Sequence, residues 1–210
     1  MGIVSWYDPF KVIRAALSSG GDFAEVYVED SAATSITLEE DKIEKVISGR
    51  DMGAGIRVIA DYRTYFAYTN DLTEKTMLEV ASTLSKAVKD GKAAASIDLR
   101  DKKIAPGFAI KKFPADFSLE EKIALVNAGN KTARAFDKRI RQVKVVYGDG
   151  VKKTAVVNSL GEWREEERAS ILYLCQTVAV DGAVIQTGYE PVGGVLGMEV
   201  FDENPPEKIA

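Results

Sequence analysis

The sequence contains no histidine among its 210 residues, and it contains a single cysteine, Cys175. The lack of histidine excludes a Ser-His-Asp or Cys-His catalytic arrangement within the chain, and with it the histidine-based zinc sites of many hydrolases. A magnesium or calcium site built from carboxylates alone stays possible, because these cations prefer oxygen ligands. One cysteine cannot form an internal disulfide, and the apolar neighbours of Cys175 indicate a buried structural thiol.

Acidic side chains slightly outnumber basic ones, and long apolar runs are lacking. The chain has 28 basic and 32 acidic side chains, which gives a net charge of −4. An acidic balance argues against a nucleic-acid surface, which needs basic side chains to neutralise phosphates. No apolar run reaches the about 18 residues of a membrane span, and the first residues lack the basic and apolar regions of a signal peptide. We therefore expect no membrane association and a cytoplasmic location.

Three helices are predicted from apolar residues at helical spacing. They span about residues 8–19, 73–89 and 118–136. The third begins with a capping-box pattern, in which Ser118 and Glu121 satisfy each other's backbone amides.

Alternation with period two predicts strands before the second helix and after the third. The predicted strands cover residues 23–29, 35–39, 41–49, 55–60, 64–69, 141–147, 154–159 and 163–183. Residues 148–153 are predicted to form a turn, residues 93–115 to be irregular, and the glycines from Gly188 onward to break the alternation. Because helices and strands do not alternate one for one, the expected fold class is α+β, with a mostly antiparallel sheet and about three main helices.

Two acidic clusters lie at residues 39–41 and 165–167. Paired carboxylates can bind a cation or perform acid–base chemistry, whereas the same pattern is typical of a solvated turn or strand face. Gly53 and Gly55 are followed by a strand and not by a helix, so they indicate structural glycines at a strand rather than a phosphate-binding loop.

Aromatic side chains gather around the hairpin at residues 62–68, where Tyr62, Tyr65, Phe66 and Tyr68 occur. Such rings can form a binding platform or pack across strands. Alternation along the strand divides them between two faces of the sheet.

The segment from Gly188 to Glu199 is unusually rich in glycine. Glycines leave the backbone open to close approach, so an extended peptide could add to this edge through main-chain hydrogen bonds. The same composition is typical of an irregular connection, and both interpretations stay open.

Four segments in this order carry a family resemblance. They are residues 21–29 (GDFAEVYVE), residues 53–60 (GAGIRVIA) with the aromatic hairpin after them, the helix at 71–84, and residues 188–194 (GYEPVGG) leading to 203–207 (ENPPE). Their order and spacing resemble the amino-terminal region of the TldD/PmbA family over essentially the whole chain.

The resemblance implies a cytoplasmic zinc metallopeptidase that acts on unfolded or small peptides and assembles as a dimer of one chain or of two related chains. It implies that zinc is held by an HExxxH helix and a later cysteine in a carboxy-terminal domain, so no catalytic or metal residue falls within this chain. Residues 1–200 are expected to form the amino-terminal domain, and residues 201–210 a linker or the start of the next domain.

The resemblance points to a role in lining a substrate channel. The expected peptide-binding residues are Tyr65 on the aromatic hairpin and Tyr189, Glu190, Gly193 and Gly194 in the glycine-rich segment. Two alternatives come from other functional classes: a stand-alone, non-catalytic peptide-binding or oligomerisation module, and a carboxylate-metal enzyme that uses the acidic clusters.

Overall fold

The computed structural model describes residues 7–88, 102–103 and 109–210. The helices are α1 (Pro9–Ala16), α2 (Glu74–Ala87), α3 (Leu119–Phe136), α4 (Val200–Glu203) and α5 (Pro206–Ile209), and a 3₁₀ turn covers Pro114–Asp116. The strands are β1 (Phe23–Glu39), β2 (Lys42–Ala60), β3 (Arg63–Thr69), β4 (Lys102–Lys103), β5 (Ile140–Asn158), β6 (Glu162–Asp181) and β7 (Val184–Gly194).

The strands pair in the order β3-β2-β1-β5-β6-β4, and β7 also pairs with β6. The β2–β3 and β6–β7 pairs are antiparallel hairpins, whereas the short β4 runs parallel to β6. The three longer helices coincide with the three predicted ones, and the α+β class with a mostly antiparallel sheet is confirmed.

The chain divides into two compact units. Unit 1 comprises Met1–Ser31, Asp51–Gly107 and Lys152–Glu167, and unit 2 comprises Ala32–Arg50, Phe108–Val151 and Arg168–Ala210. The four long strands β1, β2, β5 and β6 each contribute one part of their length to each unit.

In unit 1, α1 and α2 cover one face of the sheet. Asp8 caps α1 by accepting a hydrogen bond from the Phe10 amide at 2.9 Å, and Pro9 occupies the first helical position, where its missing N–H costs nothing. The helices bury their apolar faces against every second residue of β1 and β2, the spacing that puts strand side chains on one face. The fully buried members of this core include Val12, Ile13, Val26, Val28, Ile56, Val58, Met77 and Ala81.

In unit 2, α3 covers a second core. The predicted capping box is confirmed, because Ser118 Oγ accepts from the Glu121 amide at 3.2 Å and the Glu121 carboxylate accepts from the Ser118 amide at 2.7 Å. Alternate residues of β1, β5 and β6 meet this helix. The buried residues of this core include Ile36, Leu38, Val126, Val143, Val145, Tyr147, Tyr173 and Cys175.

The predicted turn at residues 148–153 is wrong, because β5 runs through it without interruption. The polar side chains that indicated a turn are held by neighbouring strands instead. Lys152 Nζ lies 2.7 Å from a carboxylate oxygen of Glu29, and Lys153 Nζ lies 3.1 Å from one of Glu167. Cross-strand pairs of opposite charge stabilise a sheet, so lysines are compatible with its exposed positions.

The predicted break at Gly188 is also wrong, because β7 is regular up to Gly194. The strand also contains Pro191, which sheets tolerate in edge strands. Most of the segment predicted to be irregular, residues 93–101 and 104–108, lies outside the described residues. In the part of the chain that the structure describes, no helix has both the length and the apolar character that crossing a bilayer requires.

Candidate functional site

The open face of the sheet in unit 1, opposite α1 and α2, carries a groove of about 1020 Å³. We call it the aromatic groove. It is lined by Glu25, Tyr27 and Glu29 of β1, Asp51, Met52, Gly53, Ala54, Gly55 and Arg57 of β2, Phe66, Tyr68 and Thr69 of β3, and Asn70. Since strand side chains alternate between faces, burial of one set of residues in the core leaves the other set to line the groove.

Two aromatic rings form one wall of this groove. Phe66 and Tyr68 are 60% and 80% exposed, and their ring centroids lie 6.4 Å apart with an interplanar angle of 29°. Gly55 pairs with Tyr68 across the hairpin, and a Cβ atom at Gly55 would lie 2.9 Å from the Phe66 ring. Glycine at this position therefore lets the Phe66 ring approach the β2 backbone closely.

Charged side chains form the floor. Arg57 Nη2 lies 3.0 Å from Glu25 Oε1, while the Tyr27 hydroxyl donates to Glu29 Oε2 at 2.5 Å. The hydrogen bond from Lys152 and the one from Tyr27 lower the pKa of the Glu29 carboxyl below its usual value. Burial, together with the bond to Glu29, raises the pKa of Tyr27. Glu29 is consequently held as an anion with two fixed donors.

Tyr65, the site residue expected on the aromatic hairpin, lies on the other face of β3. It is half-buried and packs against the α1–α2 core, whereas Phe66 and Tyr68 lie on the groove face. The expectation that alternation divides these rings between two faces is confirmed. A channel-lining role for Tyr65 stays a prediction.

The other four expected residues come together on β7 in unit 2. Tyr189 and Gly193 pair with Gln176 and Leu172 of β6, and Glu190 and Gly194 pair with Cys175 and Ile171, so the two sets point to opposite faces. All four are exposed.

In the strand order, β7 pairs with β6 and with no other strand among the described residues, so its second edge is available for hydrogen bonding. Two positions at the end of β7 require glycine. A Cβ atom at Gly193 would lie 2.2 Å from the Ile171 carbonyl oxygen, and Gly194 has a φ of 154°.

A second cavity, of about 450 Å³, lies in unit 2 where α3 ends and the β6–β7 hairpin turns. Phe136 and Val184, which line it, are 82% and 57% exposed. The Arg139 guanidinium donates to Asp137 at 2.8 Å and to Asp181 at 3.3 Å. The hydrogen bonds that Asp137 accepts from the Arg139 side chain and backbone keep the pKa of its carboxyl well below the usual range. Both carboxylates of this cavity are thus paired with the same guanidinium.

Unit 2 contains a buried polar cluster that was not predicted from the sequence. Lys122 Nζ lies 2.7 Å from Asp149 Oδ2, and the Tyr147 hydroxyl donates to the same carboxylate at 2.7 Å. Lys122 falls on the buried stripe of α3 with Val126 and Ala133, and this spacing is the signal that could have revealed it.

Potential metal ligands do not cluster among the residues that the structure describes. No group of three or more His, Cys, Asp or Glu side chains in this part of the chain could hold a metal ion. Cys175 is buried, as predicted, and burial raises the pKa of its thiol, which disfavours the nucleophilic thiolate.

Two successive segments of the chain match family models of known proteins. Residues 24–95 match the family model described as PmbA/TldA metallopeptidase domain 1, and residues 112–210 match the PmbA/TldA metallopeptidase central domain. A metalloprotease of Methanothermobacter thermautotrophicus is 26% identical over 193 residues, which are 90% of this chain and 41% of that protein. Metalloprotease MJ0996 of Methanocaldococcus jannaschii is 28% identical over 88% of this chain and 41% of its own length.

Solved structures share the fold. The putative modulator of DNA gyrase from Bacteroides thetaiotaomicron superposes with a TM-score of 0.73 at 19% identity, over 96% of this chain and 47% of that one. TldE from Thermococcus kodakarensis gives a TM-score of 0.69 at 18% identity, over 95% of this chain and 46% of that one. The chain thus spans about two fifths of the length of the curated relatives it matches. Since family models match most of its residues, the chain belongs to the PmbA/TldD metallopeptidase family.

Proposed function

We propose that this chain is the non-catalytic amino-terminal part of a cytoplasmic PmbA/TldD-type metallopeptidase, in which it guides an unfolded or small peptide toward the metal. The proposal takes residues 1–200 as the guiding domain and residues 201–210 as the connection to the remainder. It is supported by the match to domain 1 and the central domain of PmbA/TldA metallopeptidases and by relatives that are named metalloproteases.

Zinc is the metal that we propose for the complete protein. The residues of this chain do not fit a zinc site: the sequence has no histidine, Cys175 is buried, and the described residues hold no cluster of metal-ligating side chains. We therefore assign no chemical step to this chain. Its contribution would be to bind and orient the peptide before hydrolysis.

The observation that best supports peptide guidance is the second edge of β7. A strand that pairs on one side presents alternating N–H and C=O groups on the other side, and an extended peptide can pair with them without regard to its sequence. Tyr189, which is 70% exposed, and Glu190 would then contact alternate side chains of the peptide.

The same edge also suits assembly with a second copy of the chain or with a related subunit. Three apolar side chains of β7, Val184, Ile185 and Tyr189, are 57%, 65% and 70% exposed. Exposed apolar side chains beside an unpaired edge favour association between chains. Dimers of one chain or of two related chains are therefore part of the proposal.

Amide hydrogen exchange tests the proposed peptide site. An unstructured peptide should slow the exchange of amides in residues 184–190 while leaving the amides of α2 unchanged, because strand addition protects the groups that it pairs. The comparison is made at several chain concentrations, so that protection by self-association is separated from protection by peptide. Peptide binding without protection of β7 would exclude this edge as the binding site.

A further inference from the structure

We infer that the aromatic groove of unit 1 binds the cationic side chain, lysine or arginine, of a peptide. This inference rests on the proposed function, since it assumes that the chain handles peptides. It adds a side-chain preference in unit 1 to the main-chain pairing proposed for β7.

The lining of the groove carries a net negative charge. Three carboxylates, those of Glu25, Glu29 and Asp51, face one guanidinium, that of Arg57. Arg57 is paired with Glu25 at 3.0 Å and Lys152 with Glu29 at 2.7 Å, so these five side chains keep one net negative charge, that of Asp51. A ligand anion would meet an excess of negative charge in this groove, whereas an ammonium or guanidinium group would be attracted.

The aromatic wall of the groove offers a second attraction for a cation. Phe66 and Tyr68 are stacked with each other and are still 60% and 80% exposed. The face of an aromatic ring is negative and attracts a cation placed within about 6 Å of the ring centre. Because the long stems of lysine and arginine are apolar and their ends are charged, they can cover the rings while the charge reaches a carboxylate.

The backbone of β2 also contributes to the shape of the groove. Gly53 and Gly55 face into it from β2, and a Cβ atom at either position would lie 3.2 Å from the Thr69 carbonyl oxygen or 2.9 Å from the Phe66 ring, respectively. Because both positions lack a side chain, the Phe66 ring and the Thr69 backbone can lie close to β2 on this face.

The test uses the full chain and three acetylated, amidated peptides that differ only at one central position, which is lysine, norleucine or glutamate. Affinities are measured by amide chemical-shift titration. Cation–π attraction and an exposed ion pair each change affinity by about two- to fivefold, so the lysine peptide should bind about tenfold more tightly than the norleucine peptide, and the glutamate peptide more weakly than both.

Two variants test the negative charge and the aromatic wall separately. Asp51→Asn removes one charge at constant size, and Tyr68→Leu removes a ring face but keeps apolar bulk. Each should lower the lysine-to-norleucine ratio by about two- to fivefold. Glu79→Gln, on an exposed carboxylate of α2 away from the groove, is the matched control and should leave the ratio unchanged. Equal ratios in the wild type, Asp51→Asn and Tyr68→Leu chains would overturn the inference.

A second probe separates this inference from the proposed function. n-Butylammonium chloride is titrated alone, against sodium chloride at the same ionic strength. Shifts at residues 51–57 and 66–69 that are lost in Tyr68→Leu support the groove as a cation site, even if no peptide binds. Absence of such shifts overturns the inference, whereas peptide binding that protects β7 without any preference for lysine leaves the proposed function standing.

Discussion

Lys122 of α3 and Asp149 of β5 form an ion pair of 2.7 Å in which the two side chains are only 7% and 5% exposed. The Tyr147 hydroxyl completes the arrangement by donating to the same carboxylate at 2.7 Å. A charge removed from water is tolerated only when it is paired and hydrogen-bonded. The pair therefore joins the helix of unit 2 to its sheet at a point where neither partner can be changed alone without cost.

The first prediction concerns this pair. Asp149→Asn should lower the free energy of unfolding by about 3–5 kcal/mol, because Lys122 would stay buried without a counter-charge. Urea unfolding followed by circular dichroism measures the change.

Asp202→Asn supplies the control for this measurement. Asp202 pairs with Lys112 at 2.6 Å, but the side chains are 57% and 45% exposed, so its loss should cost no more than about 1 kcal/mol. The two pairs have nearly the same length and differ in burial. Equal losses in the two variants would show that burial does not determine the contribution of the Lys122–Asp149 pair.

Local sequence predicts the helix that carries Lys122 but does not predict the partner of Lys122. The start of α3 is encoded within four residues, because Ser118 and Glu121 bond each other's amides, and its buried stripe follows from helical periodicity. The partner of Lys122 lies on a different element. No local pattern in Gly148, Asp149 and Gly150 distinguishes a turn from a strand whose polar groups are satisfied by distant side chains.

The candidate site could likewise be predicted from the sequence only in part. Alternation along β3 correctly divides the aromatic rings between two faces, but it does not say which face the helices cover. That depends on α1 and α2 packing over Tyr65 and leaving Phe66 and Tyr68 open. The groove itself arises from β1, β2 and β3 lying side by side, so Glu25, Arg57 and Tyr68 become neighbours only through strand pairing.

The second prediction concerns the end of β7. Gly193→Ala should destabilise the protein by about 1–3 kcal/mol, since the new Cβ would lie 2.2 Å from the Ile171 carbonyl oxygen and the strand would have to shift. Gly188→Ala, in the same strand, meets only Thr177 Oγ1 at 3.6 Å and should be neutral or stabilising by up to about 1 kcal/mol. Thermal unfolding of both variants measures the difference, and similar melting temperatures would contradict the close approach at Gly193.

The third prediction concerns the single thiol. Cys175 is 3% exposed, and burial raises its pKa, so the native protein should react with a disulfide reagent far more slowly than the chain in urea. A variant that combines Cys175→Ser with Leu172→Cys provides the comparison, because Leu172 lies on the same strand and is 50% exposed. Its thiol should react promptly in native buffer. Equally fast reaction of Cys175 under those conditions would mean that β6 opens readily.

The fourth prediction concerns alkaline pH. Burial raises the pKa of Tyr7, Tyr147 and Tyr173 above the ordinary tyrosine value of about 10. A pKa that is raised in the folded state contributes stability that is fully present below the unfolded value and is lost as the pH rises through the folded value. We therefore expect these three hydroxyls to ionise only as the protein unfolds.

Phenolate absorbance recorded together with circular dichroism checks this expectation. A first rise in absorbance near the ordinary tyrosine pKa of about 10 should leave the secondary structure intact. A second rise in absorbance should coincide with loss of structure, and Tyr147→Phe should reduce its amplitude, because one buried hydroxyl is gone. Ionisation of all eight tyrosines in one step on a folded chain would contradict the burial of these hydroxyls, and with it the environment of the Asp149 carboxylate to which Tyr147 donates.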